Sequence, residues 1–155
     1  MKLKKDLIPS SAKCATRLKF EANEPSTITI HWIGPYPGQT PGMVRNWWIR
    51  SEGEPSAHFI VKDDTVLQCW DIDTVALHAG PIANKSSIGI EVCPCNVEGE
   101  FNEQTINTLK ELLATLPRLP IVRHLDWTGK ACPKYYCDND KWHDLLVRLG
   151  RPDGV

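Results

Sequence analysis

The sequence carries no strong charge of either sign: 18 Lys and Arg stand against 19 Asp and Glu, a formal net charge of −1 over 155 residues. No overall field would draw such a chain to nucleic acid or to an anionic membrane, so neither is expected as a partner. Long apolar runs are missing too. Nothing approaches the length that spans a bilayer, and the basic residues near the start (Lys2, Lys4, Lys5, Lys13, Arg17, Lys19) are not followed by the apolar segment of a secretory signal. Membrane insertion is therefore not expected. The chain is expected to be made and kept in the cytoplasm, its basic first residues forming a solvated end open to a partner. Repeats and low-complexity segments are also lacking, which leaves a single domain over residues 1–155. Its core should lie at about 26–150, preceded by an N-terminal extension, 1–25, and followed by a tail, 151–155, that reads as a frayed end or linker stub.

Cysteine, by contrast, is plentiful, with six in a short chain. Without an export signal that count points to reduced thiols or metal ligands before disulfides. Residues Ser26 to Ile33, STITIHWI, alternate strictly: Ile28, Ile30 and Trp32 share one face, Thr27, Thr29 and His31 the other. SIGIEVC repeats the pattern, with Ile88, Ile90 and Val92 opposite Ser87, Gly89, Glu91 and Cys93, and PIVRH is a third short apolar run ending at His124. Ala57–Lys62 and Thr65–Trp70 flank Asp63-Asp64 and predict a hairpin. Helical spacing follows Thr40-Pro41 as far as Ser51. It recurs after Asn102 (Ile106, Leu109, Leu113, Leu116) and before Gly150 (Trp142, Leu145, Leu146, Leu149). GPYPGQTPG, residues 34–42, is the most evident loop. The sum is an α/β (or α+β) fold, a mixed central sheet of about five strands flanked by helices.

Three of these segments deliver donors of the kind that hold a catalytic zinc, which takes three protein ligands from imidazole, thiolate and carboxylate and keeps a fourth position for water. His31 sits on the polar face of its strand, where it is not expected to be a buried, self-satisfied core histidine. His124 ends a strand, and Cys132 follows eight residues later beyond Gly129, so a turn can aim both at one point. Each alone reads as an ordinary surface histidine or small buried hydrophobe; together they make a ligand set.

IHW, SAHFIVKDDTVLQC, ALHAG, SIGIEVC and RHLDWTGKACP, in that order, closely resemble the zinc-dependent type 2 N-acetylmuramoyl-L-alanine amidases, most strongly phage and prophage endolysin catalytic domains, and extend to the peptidoglycan recognition proteins. The likeness runs from about Ile28 to Trp142. It implies that His31, His124 and Cys132 hold Zn²⁺, and that Glu91 and Lys130 are catalytic, the first as general base and acid, the second stabilising an oxyanion. It implies a peptidoglycan substrate, the muropeptide stem, cut between the lactyl group of N-acetylmuramic acid and L-alanine. Such an enzyme would wait in the cytoplasm until a holin opened the membrane. One departure stands out: relatives that place a tyrosine before the HF of the hairpin strand differ from this chain, which has Ala57 before His58, so tyrosine-assisted chemistry is not expected.

Other readings stand beside this one. Cys93, Cys95, Cys132 and Cys137 would make a structural four-thiolate zinc module, although their C-x-C and C-x₄-C spacings depart from the usual knuckles. A non-catalytic wall-binding protein on the same fold would lack the cysteine ligand, which is present here. Cys93 and Cys95 as a redox pair would need an exposed, acidic thiol. His58 and His78 are placed near the groove with substrate contact or a supporting role both open, and His143 reads as a surface histidine. Of the tryptophans, Trp32 is assigned to the core and Trp127 is the groove candidate, while Trp47, Trp48 and Trp70 fit either.

Overall fold

In a computed structural model, residues 1–16, 18–52 and 55–155 are described. They form a six-stranded mixed sheet. β1 (Lys2–Lys5), β2 (Thr27–Trp32), β3 (Phe59–Lys62), β4 (Thr65–Gln68), β5 (Ser87–Val92) and β6 (Ile121–Arg123) lie side by side in the order β1-β4-β3-β5-β2-β6. The β3–β4 pair is the predicted antiparallel hairpin, turning at Asp63, whose φ of 48° is a conformation aspartate tolerates. All other pairs are parallel, so the strands need crossovers and both faces must be covered.

One face carries Ile28, Ile30, Val61, Ile88, Ile90 and Val92, buried under α3 (Glu103–Thr115) and α5 (Asn139–Arg148). Both helices start where the sequence offers an oxygen to the free backbone amides. The Asn102 side chain accepts from the Thr105 amide, and Asp138 accepts from Asp140 and Lys141. Leu116 closes α3 as its cap and still packs on the core.

The opposite face overturns the expectation of a half-solvated sheet. Thr29, His31, Ser87 and Gly89 are buried there: the Trp127 indole covers Thr29 and the His78 ring lies on Gly89 between His31 and Ser87, while over β3 and β4 the helix α1 (Pro41–Arg50) and the N-terminal segment pack Ile8, Cys14, Val44 and Trp48 against Ile60, Leu67 and Cys93. The alternation is real, but both sides are core. Thr40 caps α1, accepting from the Met43 amide, as its Thr-Pro start predicts.

The segment 1–25 is likewise no solvated extension. It supplies the sixth strand, and Arg45 ties it down by donating to the carbonyls of Asp6 and Leu7 at 2.6 Å each. Its lysines meet acids of the domain (Lys2–Asp64, Lys5–Asp71, Lys13–Glu52, Lys19–Asp73), leaving little basic surface for a partner; Arg17 lies outside the described residues. The tail is not frayed either: the Ile121 amide donates to the Gly154 carbonyl and Arg151 is buried. Among the described residues no helix is long and apolar enough to cross a membrane.

Candidate metal centre and its groove

Parallel pairing of β2 with β5 sets His31 opposite Glu91, so one register places an imidazole and a carboxyl side by side on the same face. His124 does not end a strand as expected. It opens a short helix, α4 (His124–Thr128), directly after β6. The Arg123 amide donates to Asp126 Oδ2 at 2.7 Å and the Arg123 guanidinium reaches the same carboxylate and the carbonyls of Tyr136 and Cys137. Gly129 then turns the chain at φ 76°, the left-handed geometry glycine adopts without a Cβ clash, and the Leu125 amide donates to the Cys132 carbonyl. These bonds fold the 124–132 segment back on itself and bring its two donors to His31.

The result is a cluster of three ligand atoms within 4.8 Å of one another, from His31, His124 and Cys132. His31 Nδ1 lies 3.1 Å from His124 Nδ1 and 3.7 Å from Cys132 Sγ, though the residues are 93 and 101 positions apart. Among the described residues no second group of three His, Cys, Asp or Glu converges in this way. The four-thiolate module is therefore not assembled: Cys93 packs in the core behind α1 and Cys95 is exposed. Nor is that pair poised for redox chemistry, since burial pushes the Cys93 thiol up to about 12.

His31 is 1% exposed and its pKa is held well below the usual value, chiefly by burial and then by the neighbouring histidines and Lys130. The imidazole is thus neutral and free to donate a lone pair. Burial pushes the Cys132 thiol up to about 12, with the nearby Glu91 carboxylate adding to the effect; a cation is what would make it a thiolate. Glu91 is pushed up to about 8 by burial, partly countered by the Lys130 ammonium. Its residue surface is only half-buried, since it edges an open groove, but Oε2 is out of solvent and has no hydrogen-bond partner among the described residues. Lys130 is exposed on the same groove.

The structure also places the two histidines whose roles the sequence left open. His58 is buried beneath the site, accepting from the Gly89 amide at Nδ1 and donating from Nε2 to the Thr74 carbonyl at 2.7 Å. Burial lowers its pKa to about 4. His78 stands beside His31, its Nδ1 2.9 Å from His31 Nε2, and burial lowers it to about 3. The Asn84 side chain fixes the 78–79 backbone by accepting both amides.

The groove has a volume of about 630 Å³ and runs from the cluster along α1, past Trp47, Met43, Tyr36 and Arg50. Trp47 is 56% exposed although it is a large indole on a helix. Trp127, the groove candidate from sequence, instead lies over β2 with its Nε1 donating to Thr29 Oγ1 at 2.9 Å; it braces the 124–132 segment. Trp32, assigned to the core, does pack against it, and its edge also reaches the groove. His143 is exposed on α5. The α1 wall has no signal in the sequence beyond an amphipathic helix with one indole, Trp47, on its outer side.

The family model described as N-acetylmuramoyl-L-alanine amidase matches residues 21–135. The chain is similar to the N-acetylmuramoyl-L-alanine amidase CwlH of Bacillus subtilis, 31% identical over 97% of this chain and 62% of the relative. It is also similar to XlyA of the same organism, 33% identical over 61% of this chain and 34% of that protein. The chain thus spans less than two thirds of the length of these curated relatives. The structure of the XlyA catalytic domain superposes with a TM-score of 0.77 at 27% identity, covering 97% of this chain and 100% of that one.

Proposed function

This chain belongs to the N-acetylmuramoyl-L-alanine amidase family, and from that premise we propose that it is a zinc-dependent amidase of bacterial peptidoglycan. The bond cut is the amide joining the lactyl group of N-acetylmuramic acid to L-alanine. In this reading His31, His124 and Cys132 hold the metal, Glu91 is general base and acid, and Lys130 stabilises the oxyanion.

The observation that carries the reading is the convergence of those three donors on the floor of an open groove, next to a buried carboxyl oxygen that no other described residue satisfies. The two spacings from His31 fit zinc. From ordinary bond lengths, a tetrahedral centre separates two nitrogens by ~3.3 Å and nitrogen from sulfur by ~3.6 Å, against 3.1 and 3.7 Å here. Two imidazoles and one thiolate also leave one corner open, unlike a structural site.

Zinc held by His31, His124 and Cys132 would supply Lewis acidity toward a carbonyl and would lower the pKa of water toward ~7. The chain's own groups do the rest. Glu91 takes the proton of the attacking water and delivers it to the departing alanine nitrogen; a carboxyl whose pKa is raised toward neutrality can act in both directions. As the carbonyl oxygen gains charge, the Lys130 ammonium is attracted to it more than to the neutral amide, so its contribution is made mainly in the transition state. The α1 wall with Trp47 offers flat apolar area for the stem or the sugar. An enzyme of this kind acts at the cell wall, and we place it in the cytoplasm until a holin releases it.

Digestion of purified peptidoglycan tests the reading by its products. New alanine amino termini without new reducing ends are expected. New reducing ends would mean a glycosidase, and tight wall binding with neither product would mean a binding protein.

A further inference from the structure

We propose that His78 is a positioning residue of the metal site, holding His31 in the single tautomer and ring orientation that turn an unprotonated Nδ1 toward His124 and Cys132. The inference rests on the reading of that cluster as a zinc site, but its logic begins at a backbone carbonyl. His78 Nε2 lies 3.1 Å from the Ser87 carbonyl oxygen, which can only accept, so this nitrogen carries the hydrogen. In a neutral ring Nδ1 is then a lone pair and must accept across the 2.9 Å contact with His31 Nε2. The hydrogen of His31 is thereby assigned to Nε2, and its Nδ1 faces the other two donors without one.

The path from Ser87 through His78 to His31 is held at both ends. Ser87 is a residue of β5, the strand that also places Glu91, and the Asn84 side chain fixes the His78 backbone. Gly89, two positions along β5, lies flat under the imidazole: a Cβ there would come within 2.7 Å of the ring. The missing side chain is what lets the ring lie on the strand and reach His31. The two rings meet edge to face, at 89° with centroids 5.1 Å apart, so His31 can neither rotate nor flip without losing its one acceptor at Nε2. Partners of this type on ligating histidines fix tautomer and orientation, and their loss typically weakens metal binding ~10–100-fold.

The test uses the full chain as wild type, His78→Ala, His78→Asn and Cys132→Ala. Zinc affinity is measured by chelator competition, and the His31 tautomer by long-range ¹H–¹⁵N correlation in the metal-free protein. His78→Ala is expected to weaken zinc binding ~10–100-fold and to remove the uniform Nε2–H signature of His31. Asn Oδ1 occupies nearly the place of His Nδ1, so His78→Asn should restore most of both. Wild-type affinity in His78→Ala, or a wild-type His31 protonated on Nδ1, would overturn the proposal; the second readout needs no variant to fold. If wild type and Cys132→Ala bind zinc equally weakly, the zinc reading fails separately, while the tautomer measurement still decides whether His78 orients His31.

Discussion

Gly89→Ala isolates the tightest contact in the site. Alanine is ordinarily the better residue in a strand at ordinary φ, and restricting the unfolded chain should stabilise the fold by ~0.4–1 kcal/mol. Against this, the new methyl carbon would lie 2.7 Å from Cγ of His78 and 2.9 Å from Cδ2 and Nδ1, where real carbons do not approach. The ring cannot swing aside freely, being bonded to His31 on one side and Ser87 on the other. Nor can the backbone, whose amide and carbonyl both engage His58. Overpacking of this kind costs ~1–3 kcal/mol, and losing one buried hydrogen bond of His78 adds ~0.5–1.5 kcal/mol. The net expectation is a loss of ~2 kcal/mol, a fall in Tm of about 4–8 °C for a domain this size. Urea unfolding of the metal-free protein, followed by tryptophan fluorescence, reads it directly. A variant as stable as wild type, or more so, would show that the imidazole does not lie on the strand as described.

Three further outcomes follow from the same geometry. His58 is neutral in the fold at about 4 against an ordinary 6.5. Its contribution is therefore complete above pH 6.5 and drains away as pH falls toward 4, ~3 kcal/mol in all. Urea midpoints of metal-free protein should drop below pH 6.5, and His58→Gln should flatten that slope; a wild-type profile level down to pH 4.5 would contradict it. Lys130→Met should lower kcat ~10²–10³-fold with zinc affinity nearly unchanged, as for loss of an oxyanion donor; full turnover removes Lys130 from the chemistry. Trp47→Ala, at an indole half in solvent on the groove wall, should leave stability within ~0.5 kcal/mol and raise KM ~5-fold at constant kcat, measured on soluble muropeptides; an unchanged KM would put substrate elsewhere.

Strands β2 and β5, the hairpin and the three long helices were legible because their apolar spacing and caps are local signals. β1 was not: KLKK has no alternation, since it is an edge strand whose side chains are exposed and whose lysines guard the edge. The burial of the second sheet face was hidden for a different reason. Thr, His and Gly on alternate positions look solvated in sequence, and only the packing of the Trp127 indole and the His78 ring, both distant in sequence, buries them. The trio His31, His124 and Cys132 was readable as a candidate ligand set from residue types and spacing, and the three do converge. Its supporting contact was not, because His78 and His31 are 47 positions apart and meet only through the packing of the loop before α2 (Pro81–Ser86) on β5. The choice of Trp127 as the groove residue failed similarly: position in the 124–132 segment said nothing about which way the indole turns.

On the proposed function, two imidazoles and one thiolate close around a single zinc ion with a corner left for solvent. X-ray absorption at the zinc edge of the stoichiometric protein reads that shell atom by atom. One sulfur at ~2.3 Å with about three nitrogen or oxygen neighbours at ~2.0–2.1 Å is the expected shell. A shell of four sulfurs, or zinc that binds equally well to Cys132→Ala, would contradict the account.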